Sequence, residues 1–123
     1  MAPKGPQALF TDAQNLEKAG DIAGAIKVYK TFLSKHRTHP NALKVRNRAA
    51  QFSVMIGLHD DAIQLIERAG GAGEQDLKMM YTLAQANAYA GRLDEANAAL
   101  KKALDIDPNF APAIGRLATI LQY

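Results

Sequence analysis

A repeated spacing of small residues constrains this chain of 123 residues more than any other feature. A glycine followed five residues later by an alanine occurs three times, as Gly20 with Ala25, Gly57 with Ala62 and Gly91 with Ala96. The copies are 37 and then 34 residues apart. A period of this length is typical of solenoids, in which each copy is one supersecondary unit that stacks on its neighbours. The spacing therefore predicts a repeat architecture with three units.

The apolar pattern of the third copy predicts a pair of helices. One helical face carries apolar residues and a single polar one, at Leu77, Met80, Leu83, Ala84 and Asn87. After Gly91 a second apolar stripe follows, at Leu93, Ala96, Leu100, Ala103 and Leu104. Gly91 can end the first helix, because glycine adopts the backbone conformation of a helix end without strain. Pro108 ends the second helix, because it lacks a backbone N–H. Applied to the whole chain, the same pattern predicts seven helices, near residues 6–19, 22–36, 41–56, 59–69, 75–90, 93–106 and 110–122.

Small side chains set how closely these helices can pack. Ala84 and Ala96 carry only methyl groups, so we expect the two helices of the third copy to approach near the lower end of the usual 8–10 Å spacing. Of two adjacent methionines, we predict that Met80 lies in the core and that Met79 is partly exposed. The glycine-rich segment at residues 70–73 is predicted to be the most flexible connector.

Composition excludes several classes of protein. The chain has no cysteine, which excludes a disulfide scaffold and a thiolate zinc site. Hydrophobic residues make up 48%, which argues against a disordered chain. The formal net charge is +3, which is well below the dense Lys and Arg surface of a typical nucleic-acid-binding protein. No apolar run approaches the roughly 20 residues of a membrane span, and no signal peptide is visible, so we expect a cytoplasmic location.

From about residue 6 onward the sequence resembles the tetratricopeptide repeat (TPR) family. The third copy matches best, with Leu83-Ala84, Gly91, Ala96, Ala103 and Pro108 at the positions of the family pattern. The first copy departs from the pattern at Asp12, and the second has Arg46 where Trp is frequent. The resemblance implies an all-α, right-handed superhelical solenoid. On this basis we expect a flexible segment at residues 1–5 and one domain at residues 6–123, with repeats at about 6–39, 43–76 and 77–110 and a final helix at 111–123.

The resemblance also implies a concave groove, lined by the first helix of each pair, that binds peptides or helices of other proteins. Ten residues match groove positions and form the predicted peptide-binding site: Gln14, Lys44, Asn47, Arg48, Gln51, Lys78, Tyr81, Gln85, Tyr89 and Arg116. The cations favour an acidic ligand, the amides can hydrogen-bond the backbone of an extended peptide, and the tyrosines offer apolar area. The sequence therefore predicts a protein-interaction scaffold for an acidic or polar peptide.

Four alternatives stay open from the sequence. The chain could be a recruiting or regulatory domain at the N-terminus of a larger enzyme, or an RNA-binding helical repeat in which Gln14, Gln51 and Gln85 form a polar ladder. Some family members clamp the carboxylates of chaperone tails, but of the positions that such a clamp uses only Lys78 has a fitting residue. Finally, the apolar end of the last helix, at Ile120 and Tyr123, could contact a further segment or a second copy.

No catalytic centre is predicted. His36 and His39 have a spacing that could share a metal, but no third ligand follows nearby. The carboxylate pairs at residues 60–61 and 94–95 open helices, where acidic side chains stabilise the N-terminus. We therefore expect no enzyme activity, no cofactor and no metal ion.

Overall fold

The chain folds into helices throughout the part that is described. The computed structural model describes residues 4–113 and Gly115. Seven helices lie in this part: α1 (Pro6–Lys18), α2 (Ile22–Lys35), α3 (Ala42–Met55), α4 (His59–Glu67), α5 (Gly71–Glu74), α6 (Leu77–Tyr89) and α7 (Leu93–Ile106). Helix resumes at Ala111, so the described helices number eight where seven were predicted. The first six predicted helices are confirmed to within about two residues at each end, and most of the seventh lies outside the described residues.

The helices form antiparallel pairs that stack in chain order. Helix α1 packs against α2, α3 against α4, and α6 against α7, while α2–α3 and α4–α6 contacts join one pair to the next. The first helices of the pairs (α1, α3 and α6) form one surface, which we call the groove face. The second helices (α2, α4 and α7) form the other. This arrangement is the all-α solenoid that the repeat predicted.

The turn within each pair has one recurring geometry. Gly20, Gly57 and Gly91 have φ values of 83°, 85° and 81°, in the left-handed region that a side chain disfavours. The next N–H donates to the carbonyl five residues earlier, in the bonds Asp21–Leu16 (2.9 Å), Leu58–Ser53 (2.7 Å) and Arg92–Asn87 (2.8 Å). These bonds satisfy carbonyls that the helix end leaves without partners. The repeated glycine therefore reflects one backbone conformation used three times.

We expect Gly57→Ala to lower the free energy of unfolding by about 1 kcal/mol, because a Cβ is strained at a left-handed φ. No heavy atom lies within 4 Å of a Cβ built at Gly57, so the whole effect comes from backbone strain. Gly71→Ala is the matched control, since Gly71 has equally open space but no left-handed φ. Urea unfolding of both variants checks this, and equal midpoints would contradict it.

The core contains both small and large buried side chains. Ala84 and Ala96 are both buried, and α6 and α7 pack against each other. The largest fully buried side chains include Tyr29 and Phe32. Met79 was predicted to be partly exposed, and this was wrong: it is 0% exposed. Helix α6 contacts α4, α5 and α7, so more than one of its faces is covered.

The glycine-rich connector contains a short helix that the sequence pattern did not predict. Residues Gly71–Glu74 form α5, which packs against α6. Gly73 is buried in this helix, and a Cβ there would lie 2.8 Å from the Ala69 Cβ and 3.3 Å from the Ile66 carbonyl oxygen. Glycine at this position therefore permits close approach to α4.

Candidate functional site

Nine of the ten predicted peptide-binding residues lie on α1, α3 and α6, the first helices of the pairs. Helix α6 starts at a defined point because the carboxylate of Asp76 accepts a hydrogen bond from the backbone N–H of Met79, at 2.9 Å. The buried hydroxyl of Thr82 donates to the Lys78 carbonyl, at 2.9 Å, so this side chain bonds within its own helix. Exposed Lys78 lies one turn earlier on the same helix. The start of α6 thus fixes which of its side chains reach the groove face.

Three of the predicted residues come together around one concave pocket. Gln51 of α3 and Gln85 and Tyr89 of α6 line a cavity of about 500 Å³, together with Met55 and His59. We call it the Met55–Tyr89 pocket. Met55 is 69% exposed and Tyr89 is 56% exposed, although both carry large apolar surfaces. Two amides and two exposed apolar side chains therefore meet at the boundary between the second and third repeats.

The aromatic wall of this pocket is built by a ring pair. The imidazole of His59 stacks on the Tyr89 ring, with ring centroids 5.6 Å apart and an interplanar angle of 26°. His59 Nδ1 is buried and makes no hydrogen bond to the described residues, and the same holds for Asn47 Oδ1 on α3. Buried polar atoms are nearly always paired in native proteins. Both atoms are therefore exceptions among the buried polar groups of the described residues.

Arg48, the cation placed at the centre of the predicted site, is engaged inside the chain. Its Nε and Nη2 atoms donate to the two carboxylate oxygens of Glu17 on α1, at 3.0 and 2.5 Å. The hydroxyl of Tyr29 on α2 donates to the same carboxylate. The guanidinium also lies 5.3 Å from the centre of the Phe52 ring. Arg48 therefore links the first repeat to the second, and a ligand carboxylate would compete with Glu17 for it.

The electrostatics of this network favour the paired state. Burial alone would raise the pKa of Glu17, but hydrogen bonds from Arg48 and Tyr29 outweigh it and lower this pKa from its usual 4.5. The pKa of the Arg48 guanidinium is raised, chiefly by its hydrogen bonds to Glu17. Burial, followed by the hydrogen bond to Glu17, raises the pKa of Tyr29 to about 12. At neutral pH the network holds a carboxylate, a guanidinium and a neutral phenol.

The other predicted residues occupy different surroundings. Gln14, Lys44 and Lys78 are exposed and do not line the Met55–Tyr89 pocket, and in the described part of the chain neither lysine forms an ion pair. Tyr81 is half-buried and packs edge-on against Phe110, with ring centroids 5.5 Å apart. Arg116, like Ile120 and Tyr123 of the predicted apolar end, lies outside the described residues.

Sequence reasoning missed part of this pocket. His59 was not among the predicted site residues, because the sequence around the start of α4 does not indicate which neighbouring helix this histidine contacts. Met55 falls at groove spacing but was not included among the binding residues. Its signal was present, since an apolar side chain four residues after Gln51 shares the groove-facing side of α3.

The two histidines considered as a metal pair lie against an aromatic ring of α2. The rings of His36 and His39 pack edge-on against Phe32, with centroid distances of 5.6 and 5.3 Å. No group of three or more histidine, cysteine or acidic side chains among residues 4–113 and Gly115 is placed to hold a metal ion. Within the same residues, no helix has the length and apolar character to cross a bilayer.

Solved structures of similar fold come from several kinds of protein. MamA from Desulfovibrio magneticus RS-1 superposes with a TM-score of 0.82 at 22% identity, covering 94% of this chain and 64% of that one. A tetratricopeptide repeat protein from Parabacteroides merdae gives 0.85 at 14% identity, covering 94% and 45%. The first TPR of Spaghetti (RPAP3), bound to the HSP90 peptide SRMEEVD, gives 0.81 at 19% identity, covering 95% and 90%. The chain thus spans less than two thirds of the MamA chain that it matches.

Sequence profiles provide evidence for the family that does not depend on the structure. Two profiles described as tetratricopeptide repeat match residues 10–76 and residues 78–110. These ranges contain the three recurring glycine turns and most of the helix pairs α1–α2, α3–α4 and α6–α7. On repeat spacing, helix pairing and profile matches together, the chain belongs to the tetratricopeptide repeat family.

Proposed function

We propose that the chain is a protein-interaction scaffold that binds an extended, acidic or polar peptide segment across the groove face. The observation that supports this most is the Met55–Tyr89 pocket, where exposed apolar side chains and two amides converge. Exposed apolar surface with polar neighbours is typical of interaction sites. The first TPR of RPAP3 holds an HSP90 peptide on the same fold, which supports peptide binding as the class of function.

The pocket supplies the two kinds of contact that an extended peptide needs. Gln51 and Gln85 each carry a donor and an acceptor group, which can pair with a peptide N–H and C=O. Met55 and Tyr89 can enclose one apolar or aromatic side chain, and thioether groups adapt to different shapes.

Charge selection on this face would depend on lysines more than on Arg48. The fork of Arg48 is already filled by Glu17, so binding a ligand carboxylate there means breaking a two-point contact. Lys44 and Lys78 are exposed and form no ion pair with the described residues. We therefore propose that these lysines, on α3 and α6, give the preference for acidic peptides.

Binding of randomised peptide libraries, with free and with amidated C-termini, tests the proposal. We expect Tyr89→Ala to weaken binding of the selected peptides by about 30-fold or more, because truncating an aromatic hot-spot residue costs about 2 kcal/mol or more. Leu93→Ala is the control, since Leu93 is a partly exposed apolar residue outside the pocket. Lys44→Ala with Lys78→Ala is expected to remove the preference for acidic sequences. An absence of selected peptides, or binding unchanged by both Tyr89→Ala and Gln51→Ala, would contradict the proposal.

The geometry does not favour the other groove ligands considered from the sequence. At the positions of a chaperone-tail clamp, Phe10 packs on Tyr29, and Thr82 is 1% exposed and bonded within α6. Of the glutamines that suggested an RNA ladder, Gln51 and Gln85 share the pocket, but Gln14 does not line it. Recruitment to a larger enzyme stays a proposal compatible with peptide binding.

A further inference from the structure

A second cavity lies away from the groove face and is strongly basic. It measures about 690 Å³ and lies between α2, α3 and α4, close to the turn that follows α2. It shares no residue with the Met55–Tyr89 pocket. Its charged lining consists of four cations and one acid: Lys30, Arg37, Arg46, Arg68 and Asp61. We call it the arginine cleft.

The positive charge of the arginine cleft is only partly neutralised by the protein itself. Its one carboxylate, on Asp61, is bound by Lys30 at 3.3 Å. No carboxylate among the described residues pairs with Arg37, Arg46 or Arg68. The lining therefore carries a formal excess of three positive charges, all on guanidinium groups. Guanidinium groups that crowd together without an anion repel one another.

Arg46 is held at the base of this cleft. Its Nη1 atom donates to the backbone carbonyl of Leu65 on α4, at 2.9 Å, which fixes the orientation of the half-buried guanidinium. A guanidinium has five N–H donors, so most of them remain available. Burial, and then the charge of nearby Arg68, lower the pKa of Arg46. A second guanidinium therefore acts on Arg46 within the same cleft.

The size and lining of the cleft fit a compact, multiply charged oxyanion. Its volume lies within the roughly 300–1,000 Å³ of small-ligand sites. Apolar Leu33 and Leu65 also line it, and low-dielectric walls strengthen charge–charge attraction. A carboxylate would neutralise one of the three excess charges. A phosphate monoester carries about −1.5 to −2 at neutral pH, and its three terminal oxygens match the fork geometry of arginine.

We propose that the arginine cleft is a binding site for a phosphate group, held by Arg37, Arg46 and Arg68. The group can be inorganic phosphate or the phosphorylated side chain of a partner protein, because both present the same oxygens. This site would act independently of the groove face. A phosphorylated partner bound there would leave the peptide groove free for a second ligand.

Calorimetric titration of the full chain tests this site with three probes. They are inorganic phosphate, a peptide library with a central phosphoserine, and the same library with serine or glutamate at that position. We expect the phosphoserine library to bind at least about tenfold more tightly than the serine and glutamate libraries, since charge-assisted hydrogen bonds to a dianion are the stronger ones. Binding of inorganic phosphate alone would identify a free anion as the ligand. Binding of the phosphoserine library alone would identify a modified protein.

Two variants tie the binding to the arginine cleft. Arg68→Gln and Arg37→Gln are each expected to weaken phosphate binding by about tenfold, and both residues are exposed, so the fold should tolerate the changes. Lys27→Gln removes one exposed cation from α2 outside the cleft and controls for net charge, with an expected change of less than about twofold. The proposal is overturned if no phosphate probe binds, if the glutamate library binds as tightly as the phosphoserine library, or if the double Arg37→Gln, Arg68→Gln variant binds as the parent does.

Discussion

Replacing Ala96 by Leu is expected to lower the free energy of unfolding by about 3 kcal/mol, because inserting extra methylene groups into a close-packed interior forces side chains and backbone apart. Ala96 is 0% exposed at the start of α7, and the main packing partner of that helix is α6. The facing helix also carries small buried residues, Ala84 and Ala86. Because Ala96 is fully buried in a close-packed interior, a larger side chain there has to displace its neighbours.

Ala98→Leu is the matched control for this substitution. Ala98 lies in the same helix, two residues away, but is exposed, so the added atoms meet solvent. Urea unfolding followed by circular dichroism gives both midpoints, and an unchanged slope shows that the variants unfold in the same way. Ala96→Val adds fewer atoms and should give an intermediate loss. Equal midpoints for Ala96→Leu and Ala98→Leu would show that α6 and α7 are not closely packed at this point.

The fold could be predicted from the sequence because its strongest signals are local and repeated. The turn at Gly57 uses a conformation that glycine adopts most easily, and the same bond pattern occurs at the other two turns. Apolar residues at helical spacing then locate the helices between the turns. Met79 was mispredicted because α6 is covered on more than one side, and one of the helices that pack against it, α5, has a glycine-rich sequence without a helical signal.

The site was harder to predict because its contacts join separate repeats. The spacing placed Gln51, Gln85 and Tyr89 on the groove face, and the structure brings them to one pocket. Nothing in the local sequence shows that Glu17, 31 residues before Arg48, supplies its carboxylate partner. That pairing depends on how α1 and α3 are positioned relative to each other.

The arginine cleft was even harder to predict from the sequence than the groove site. Arg37, Arg46 and Arg68 belong to a turn, to α3 and to the end of α4, and no two of them are close enough in sequence to form a recognisable motif. Each one alone is indistinguishable from an ordinary surface cation. Their convergence follows from the stacking of the first two repeats, so it could be found only in three dimensions.

Removal of the Glu17 carboxylate is the other substitution with a large expected effect. We expect Glu17→Ala to lower the free energy of unfolding by about 2–3 kcal/mol, because it leaves the hydroxyl of fully buried Tyr29 without its acceptor and removes both bonds to Arg48. Glu67→Ala is the control, since Glu67 is an exposed glutamate at the corresponding end of α4. Tyr29→Phe introduced into Glu17→Ala should cost little more, since the unpaired hydroxyl is removed with its partner.

The pH dependence of this stabilisation has two limits that follow from the two pKa shifts. Because the pKa of Glu17 is lowered in the folded state, its contribution is complete above about pH 4.5 and is lost as the pH falls through the folded value. Because the pKa of Tyr29 is raised to about 12, its contribution is complete below its ordinary value of 10.0 and is lost as the pH rises towards 12. The stability difference between the parent and Glu17→Ala should therefore be constant from about pH 5 to 10 and shrink on both sides.

Ultraviolet titration of the phenolate groups provides a direct check of the alkaline limit. The chain has four tyrosines, and one of them should ionise near pH 12 in the parent. That high transition should disappear in Tyr29→Phe and move towards the ordinary value in Glu17→Ala, because the neighbouring carboxylate no longer opposes a second negative charge. Ionisation of all four tyrosines near 10 in the folded parent, or a stability difference that stays constant below pH 4, would show that the carboxylate of Glu17 does not hold α1, α2 and α3 together.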